Sequence, residues 1–107
     1  MKMRGHENVK SDVSKAILDQ CDNVSQVLKS LSHPVRLKVL CQVIERERTV
    51  TELTEFCSIS QSAMSQFLGR MKDEGILESR REWNQVYYKI TDPKLVRLLQ
   101  ALKEIYC

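Results

Sequence analysis

Four cysteines and two histidines are the side chains of this sequence that could react with an oxidant or bind a metal ion. Cys21, Cys41, Cys57 and Cys107 are scattered along 107 residues, and no two of them form a C-x-x-C pair. In a reducing compartment this spacing favours four free thiols over a framework of disulfides. A free thiol can pack as a small apolar side chain, or it can serve as a nucleophile that an oxidant modifies.

The apolar pattern around each cysteine bears on that choice. Cys57 and Cys21 are expected to pack in the interior, and Cys41 lies at the edge of an apolar stripe, where packing is again the better interpretation. Cys107 lies about 140° around its helix from Leu102, on the polar side, at about 100° per residue. Core packing does not explain Cys107, although fraying of the terminus could.

A typical metal site cannot be assembled from the ligands in the sequence. A thiolate site on the short helix that contains Cys57 would need a second cysteine there, and the sequence has none. A site on the last helix would need histidine and carboxylates at helical spacing, but no histidine follows His33, and His6 lies near the N-terminus. We therefore expect no metal ligand and no cofactor.

The segment from Gln61 to Glu74 is predicted to form a helix with two different faces. Its apolar side chains share one side: Met64, Phe67, Leu68 and Met71. Its small and polar residues share the other: Ser62, Ser65, Gln66 and Gly69. Small residues let a helix approach base edges of DNA, a glutamine can bond adenine with both amide atoms, and the amides next to the N-cap Ser60 can bind a phosphate. The pattern favours a DNA recognition helix, although any amphipathic surface helix has a polar face.

Helical periodicity and turn residues predict the elements that hold this face. They are a helix from about Asp12 to Ser30, a helix from Pro34 to Ile44, a short helix opened by a capping box at Thr49–Glu52, a turn at 58–60, the two-faced helix ended by Gly75, strands at Ile76–Glu82 and Val86–Ile90 around Trp83–Gln85, and a last helix from Pro93. A short helix, a tight turn and a longer helix form a helix-turn-helix.

The charged hairpin that follows is predicted to be a wing. Four of its side chains are able to reach the DNA backbone or minor groove: Arg80, Arg81, Asn84 and Gln85. The predicted fold class is therefore mainly α with a small β-hairpin, in the order of a winged helix-turn-helix.

Length and composition allow one compact domain, with 42% apolar and 29% charged residues. We assign residues 1–11 to a mobile tail and residues 12–107 to a single DNA-binding and dimerisation domain. No apolar run approaches the ~18 residues of a membrane span, and the N-terminus lacks a secretory apolar region, so we expect no membrane association and a cytoplasmic location. The net charge is only +3, so the prediction of DNA binding rests on the arrangement of the helices and the hairpin and not on charge.

Several motifs resemble the ArsR/SmtB family of winged-helix repressors. They are LSHPVRLKVL at 31–40, SQSAMSQ at 60–66, EGIL at 74–77, the pair Arg80–Arg81, and VYY at 86–88, and the similarity extends from Val27 to Cys107. Phe67 is a departure, because the family often has histidine there. The resemblance implies double-stranded DNA as the partner and an operator that is an imperfect inverted repeat.

The resemblance also implies a homodimer in which the terminal helices pair across a two-fold axis. The apolar stripes of these helices supply the expected contacts: Ile17, Cys21, Val24, Leu95, Leu98, Leu102 and Ile105. The a/d-like spacing in the last helix agrees with such pairing. The alternative is that both stripes cover the chain's own core.

Cys41 together with the terminal Ile-Tyr-Cys107 is similar to the thiol-sensing branch of that family, represented by HlyU, BigR and SqrR regulators. The resemblance implies that Cys41 and Cys107 form an intrasubunit disulfide or polysulfide bridge in response to reactive sulfur species or oxidants. The bridge would lower operator affinity.

Two other classes of function stay open. One is a winged-helix regulator that responds to a metal or to no ligand. The other is a thiol oxidoreductase or a protein-binding winged helix that does not touch DNA. An exchange enzyme normally brings its cysteines close together in the sequence, and the Ser/Gln face would then lack a purpose, so we expect a protein that is not an enzyme.

Overall fold

The computed structural model describes residues 15–107, so the predicted tail at residues 1–11 lies outside the described part of the chain. In chain order the elements are α1 (Cys21–Leu31), α2 (Pro34–Val43), β1 (Arg48–Thr49), α3 (Val50–Cys57), α4 (Gln61–Asp73), β2 (Leu77–Glu82), β3 (Gln85–Ile90) and α5 (Pro93–Tyr106). Two compact units divide the chain, one ending at Ser32 and the other comprising His33–Cys107. None of the helices within residues 15–107 is long and apolar enough to cross a membrane.

The first unit contains α1 and a short helical segment at residues 15–18. The continuous helix predicted from about Asp12 to Ser30 is wrong over its described part, because Asp19 and Gln20 form a turn between the two helical pieces. Gln20 has left the helical conformation, with φ −113° and ψ 8°, and its N–H bonds Ile17 O at 2.8 Å. Nothing in the described residues explains why the turn falls at this point.

Local hydrogen bonds set the limits of α3 and α4 as predicted. The capping box is confirmed: Thr49 N–H donates to Glu52 Oε1 at 2.9 Å, and Glu52 N–H donates to Thr49 Oγ1 at 3.1 Å. Ser60 caps α4 by accepting from Ala63 N–H at 3.1 Å. Gly75 ends α4 in the left-handed region with φ 79°, and Ile76 N–H then bonds Met71 O at 2.9 Å, which completes a Schellman motif.

The core of the second unit gathers around α4. Met64, Leu68 and Met71 on that helix have no exposed surface, and neither does Leu53 of α3. Further buried side chains come from α2 and β2: Val39, Leu40, Val43 and Leu77. The helix-turn-helix therefore encloses its own apolar face within one chain.

The wing is part of a three-stranded sheet with the order β1-β3-β2. The third strand, β1, was not expected from the sequence: Arg48 pairs with Tyr88, and Thr49 pairs with Tyr87. The hairpin register runs from Leu77↔Ile90 to Glu82↔Gln85. The turn is therefore Trp83–Asn84 alone, and the predicted three-residue turn is wrong because Gln85 pairs with Glu82.

Candidate functional site

The outward face of α4 presents the small and polar residues singled out in the sequence. Ser60, Gln61, Ser62, Ser65 and Gln66 are all exposed, whereas the opposite side of the helix is buried. The Ser60 hydroxyl accepts a hydrogen bond from the Ala63 amide, which leaves its proton free to be donated. This arrangement can enter a major groove because no bulky side chain stands on it.

Gly69 extends that face toward the C-terminal half of α4. A Cβ placed at Gly69 would meet nothing within 4 Å, so packing inside the chain does not require glycine there. Glycine within a helix costs stability relative to alanine. Close approach of a partner would explain a glycine that the chain's own packing does not.

Phe67, the departure from the family pattern, connects α4 to the start of α2. Its ring lies 4.9 Å from the His33 ring, centroid to centroid, at an interplanar angle of 55°. His33 also caps α2, because its Nδ1 accepts from Val35 N–H at 3.1 Å. His33 therefore has a structural role at the start of α2.

A second contact joins the same two helices. Both terminal nitrogens of Arg36 donate to the Glu74 carboxylate, at 2.8 and 2.9 Å, and the Arg36 side chain is only 12% exposed. The hydrogen bond to Glu74 is the main reason why the pKa of Arg36 is raised. Arg36 is in the first turn of α2 and Glu74 is the C-cap of α4, so this ion pair joins the start of α2 to the end of α4.

The two arginines of the wing lie in different surroundings. Arg80 donates to Glu47 at 2.8 Å and to Glu82 at 2.6 Å, and its guanidinium lies 4.5 Å from the centre of the Tyr87 ring. The bonds to Glu47 and Glu82 raise the pKa of Arg80. Arg81 is exposed and forms no ion pair with any residue between 15 and 107. Arg81 is therefore the wing arginine whose charge is available to a phosphate.

Asn84 and Gln85 are also exposed, Asn84 in the turn and Gln85 at the start of β3. The structure thus places all four predicted wing residues on one hairpin but holds Arg80 against acidic neighbours. The sequence reasoning passed over Trp83, the other turn residue, which is 91% exposed and has φ 60°. Its signal was a large apolar residue between polar ones at the tip of a predicted hairpin.

The four cysteines are free thiols, one of them buried and three exposed. Cys57 is buried, as expected, and burial raises its pKa. The interior packing expected for Cys21 and Cys41 is wrong, because both residues are exposed in the chain. Cys41 falls between the buried Leu40 and Val43 on α2, on the side that faces outward. Cys107 is exposed at the end of α5.

Cys107 affects the electrostatics of Cys41 although the two residues are far apart in the sequence. Partial burial of its thiol raises the pKa of Cys41, and the charge of Cys107 raises it further. Such an effect requires the two sulfur atoms to lie within electrostatic range. The fold of the His33–Cys107 unit has therefore brought the end of α5 near the middle of α2.

The apolar stripe of α5 divides between the core and the surface. Leu95 and Leu99 are buried within the unit, so Leu95 has little surface left for a partner. Leu98 and Leu102 are half-buried, and Ile105 and Tyr106 are 71% and 80% exposed. In the other unit the exposed residues include Cys21 and four large apolar side chains: Ile17, Leu18, Val24 and Leu28.

A metal centre would need several ligands in one place. Within residues 15–107 no three side chains of His, Cys, Asp and Glu gather closely enough to hold an ion. The candidate functional residues among those described are therefore in three places: the exposed face of α4, the wing, and the two cysteines Cys41 and Cys107.

Comparison with known sequences identifies relatives that match most of the chain. A family described as "Bacterial regulatory protein, arsR family" matches residues 33–79. The chain is also similar to the biofilm growth-associated repressor of Xylella fastidiosa strain Temecula1, with 41% identity over 88 residues, covering 82% of this chain and 77% of that protein.

Solved structures with the same fold include two regulators. The transcriptional repressor BigR from Xylella fastidiosa has a TM-score of 0.82 at 39% identity and covers 87% of this chain and 95% of its own. A homodimeric winged helix-turn-helix DNA-binding domain from Mycobacterium bovis, a possible ArsR-family regulator, has a TM-score of 0.71 at 29% identity, with 86% and 83% coverage. The predicted winged helix-turn-helix fold is confirmed.

Proposed function

Because the chain belongs to the arsR family of bacterial regulatory proteins, which bind DNA to regulate transcription and are not enzymes, we propose that it represses transcription from an operator and leaves that operator when Cys41 and Cys107 become linked. Residues 12–107 act as one DNA-binding and dimerisation domain in the cytoplasm, without a cofactor. The observation that supports the proposal is that the charge of Cys107 is one cause of the raised pKa of Cys41, which places the two groups within electrostatic range of each other.

The operator is read by α4 and held by the wing. Gln61, Ser62, Ser65 and Gln66 face base edges in the major groove, and the capped N-terminus at Ser60 lies near a phosphate. Arg81, Asn84 and Gln85 supply contacts from the wing, and Arg80 contributes less because two carboxylates compensate its charge. Support comes from the exposure of this face and from the DNA-binding family.

A second copy of the chain completes the protein. One copy of the chain leaves apolar surface of α5 uncovered at Leu98, Leu102, Ile105 and Tyr106. The unit that contains Ile17 and Val24 also leaves apolar surface uncovered. The Mycobacterium bovis domain with this fold is homodimeric. Two recognition helices related by a two-fold axis read an imperfect inverted repeat, with half-sites about 34–36 Å apart or slightly more.

Linking the thiols requires an acceptor for two hydrogens. With hydrogen peroxide the two thiols lose them to form a disulfide, and the peroxide is reduced to two waters. With inorganic polysulfide one thiolate attacks a terminal sulfur, becomes a persulfide and releases a polysulfide shorter by one sulfur. The persulfide and the second thiol then lose two hydrogens to a hydrogen disulfide, which yields a trisulfide and two molecules of hydrogen sulfide.

The two cysteines are not equivalent in this scheme. Burial and the nearby Cys107 both raise the pKa of Cys41, which disfavours its thiolate. We assign the first attack to Cys107 and the closing step to Cys41. A disulfide needs Cα atoms about 4.4–6.8 Å apart, and each added sulfur atom relaxes that requirement.

A bridge between α2 and α5 can act on the recognition helix through contacts already in place. The His33–Phe67 and Arg36–Glu74 contacts join the start of α2 to the middle and to the C-terminal end of α4. A covalent bond that shifts α2 toward α5 therefore displaces α4 from operator spacing. The usual size of such coupling is about 1–3 kcal/mol, which corresponds to roughly a ten- to hundredfold loss of affinity.

The test is operator binding by reduced, treated and re-reduced protein, measured by fluorescence anisotropy with DNA from the protein's own promoter. Inorganic polysulfide or peroxide should weaken binding roughly ten- to hundredfold, and a reducing agent should restore it. Intact mass spectrometry on the same samples distinguishes a disulfide from a bridge with additional sulfur.

Single substitutions locate the effect. Cys41→Ser and Cys107→Ser should each bind DNA normally and lose the response, whereas Cys21→Ser, at an equally exposed position, should respond like the parent protein. Cys57→Ser should also respond, provided that circular dichroism shows it to be folded. A parental response in both Cys41→Ser and Cys107→Ser would contradict the proposed switch. A micromolar effect of zinc, cadmium or arsenite that survives the double substitution would instead favour a metal-responsive regulator.

A further inference from the structure

The tip of the wing carries the most exposed of the large apolar side chains within residues 15–107. Trp83 is 91% exposed, and it is the chain's single tryptophan. A tryptophan in water leaves a large apolar surface unburied, and such residues are enriched where partners bind. The packing of the described residues therefore does not account for a tryptophan at position 83.

The backbone at this residue is unfavourable for tryptophan. Trp83 has φ 60°, and it is the first residue of the two-residue turn closed by the Glu82↔Gln85 pair. Two-residue hairpins with a positive φ at the first turn position alone favour glycine there, because a bulky side chain is strained in that conformation. The fold would be served better by glycine, so a requirement outside the fold accounts for tryptophan.

The surroundings of the tip indicate the kind of partner. Arg81, two residues before Trp83, is exposed and forms no ion pair with the described residues. Asn84, which directly follows Trp83, is polar and exposed. The nearest acidic side chain, Glu82, is bound to Arg80 at 2.6 Å. A tip with one free cation and one indole matches a surface of anionic phosphates and apolar sugars.

The hairpin is also placed to reach such a surface. β2 directly follows α4 and packs against it. From the buried Leu77 to Glu82 the strand extends roughly 17 Å at about 3.4 Å per residue, so its tip stands away from the core beside the recognition helix. In a winged helix-turn-helix bound by α4 in the major groove, the adjoining minor groove lies within reach of the wing.

We propose that Trp83 is a DNA-contacting residue that lays its indole against the deoxyribose walls of the minor groove beside each operator half-site. This inference rests on the proposed DNA binding and adds an apolar contact to it. Apolar side chains enter the minor groove in other DNA-binding proteins, where they wedge between base steps. The contact is independent of salt, unlike the phosphate contact assigned to Arg81.

Tryptophan fluorescence tests the contact directly, because Trp83 is the only emitter of its kind in the chain. With saturating promoter DNA, the acrylamide quenching constant should fall at least twofold, while anisotropy of labelled DNA reports binding separately. Unchanged quenching in protein shown to be bound would overturn the proposal and leave the proposed function intact. No operator binding at all would overturn the proposed function. Quenching that falls with protein concentration alone, without DNA, would show a protein contact and also overturn the proposal.

Substitution at Trp83 gives a second readout. Trp83→Gly should bind operator about tenfold more weakly with an unchanged salt dependence, and should have an equal or higher Tm because the strained turn is relaxed. Trp83→Phe should retain most of the affinity. Arg81→Ala is the matched comparison, since it should reduce the salt dependence. Operator affinity equal to the parent protein in Trp83→Gly would contradict a role in binding.

Discussion

The helix-turn-helix and the end of α5 are both amphipathic, yet only the helix-turn-helix buries its apolar face within one chain. Met64, Leu68 and Met71 of α4 are fully buried, and the ends of α3 and α4 are capped by Thr49, Ser60 and Gly75. In α5 the stripe begins buried at Leu95 and ends exposed at Ile105. The helix-turn-helix core is therefore complete in one chain, whereas the end of α5 leaves apolar surface uncovered.

The largest effect is expected in the core of the helix-turn-helix, which is complete within one chain. Met64→Ala should lower the free energy of unfolding by about 2–5 kcal/mol, because it opens a cavity at a fully buried position of the core. Urea denaturation at one fixed protein concentration measures the change. Ser65→Ala, on the exposed face of the same helix, is the control and should stay within about 0.5 kcal/mol of the parent. A loss below about 1 kcal/mol for Met64→Ala would contradict the self-contained core.

The second effect concerns the exposed apolar end of α5. Ile105→Glu should weaken self-association by about 2 kcal/mol or more, roughly thirtyfold, because it places a charge on the apolar surface that we propose a second copy covers. Sedimentation velocity at micromolar concentration should show a dimer for the parent and monomers for the variant. Gln100→Glu adds the same charge at an exposed polar position of α5 and should leave the dimer intact. A parent protein that sediments only as a monomer would remove the dimer from the proposal.

The third effect distinguishes base contacts proposed for α4 from the phosphate contact proposed for the wing. Gln66→Ala should cost about 1–3 kcal/mol of operator binding and relax base preference at one position per half-site. Arg81→Ala should weaken binding to all sequences and lower the salt slope by about one, because it removes a phosphate contact. Arg80→Ala should change the slope less, since Glu47 and Glu82 already hold that charge. Uniform weakening by both Gln66→Ala and Arg81→Ala would show that α4 does not read bases.

The smallest effect concerns the cap of α3. Arg46, and then the Thr49 amide, lower the pKa of Glu52 from 4.5 to about 2. Since the pKa is lower in the folded protein, the ionised Glu52 stabilises the fold above pH 4.5, and this contribution is lost as the pH falls toward 2. Its size is about 1 kcal/mol or less, because the side chain is 41% exposed and water screens the pair.

Urea denaturation of the parent protein and of Glu52→Gln at several pH values measures this contribution. The parent should be more stable at pH 7, and the difference should shrink between about pH 4.5 and 2. Arg46→Ala should remove most of the same difference, because Arg46 is the largest cause of the lowered pKa. A difference that does not change with pH would show that the charge of Glu52 does not stabilise the cap.

Features that depend on neighbouring residues were accessible from the sequence. The capping box at Thr49–Glu52, the N-cap at Ser60 and the left-handed Gly75 each join residues at most a few positions apart, so their side-chain chemistry predicts them. The two faces of α4 follow from the helical period for the same reason. These local patterns sufficed for the order of the elements and for the candidate DNA-binding face.

Features that depend on distant parts of the chain required the folded structure. β1 is only two residues long and exists because Arg48 and Thr49 pair with β3, so it has no periodicity of its own. The exposure of Cys41, its approach to Cys107 and the ion pairs of Arg80 with Glu47 and Glu82 likewise arise from packing between elements. A stripe in a sequence shows that a side chain lies on an apolar face, but only the packing of the helices shows whether the same chain covers it.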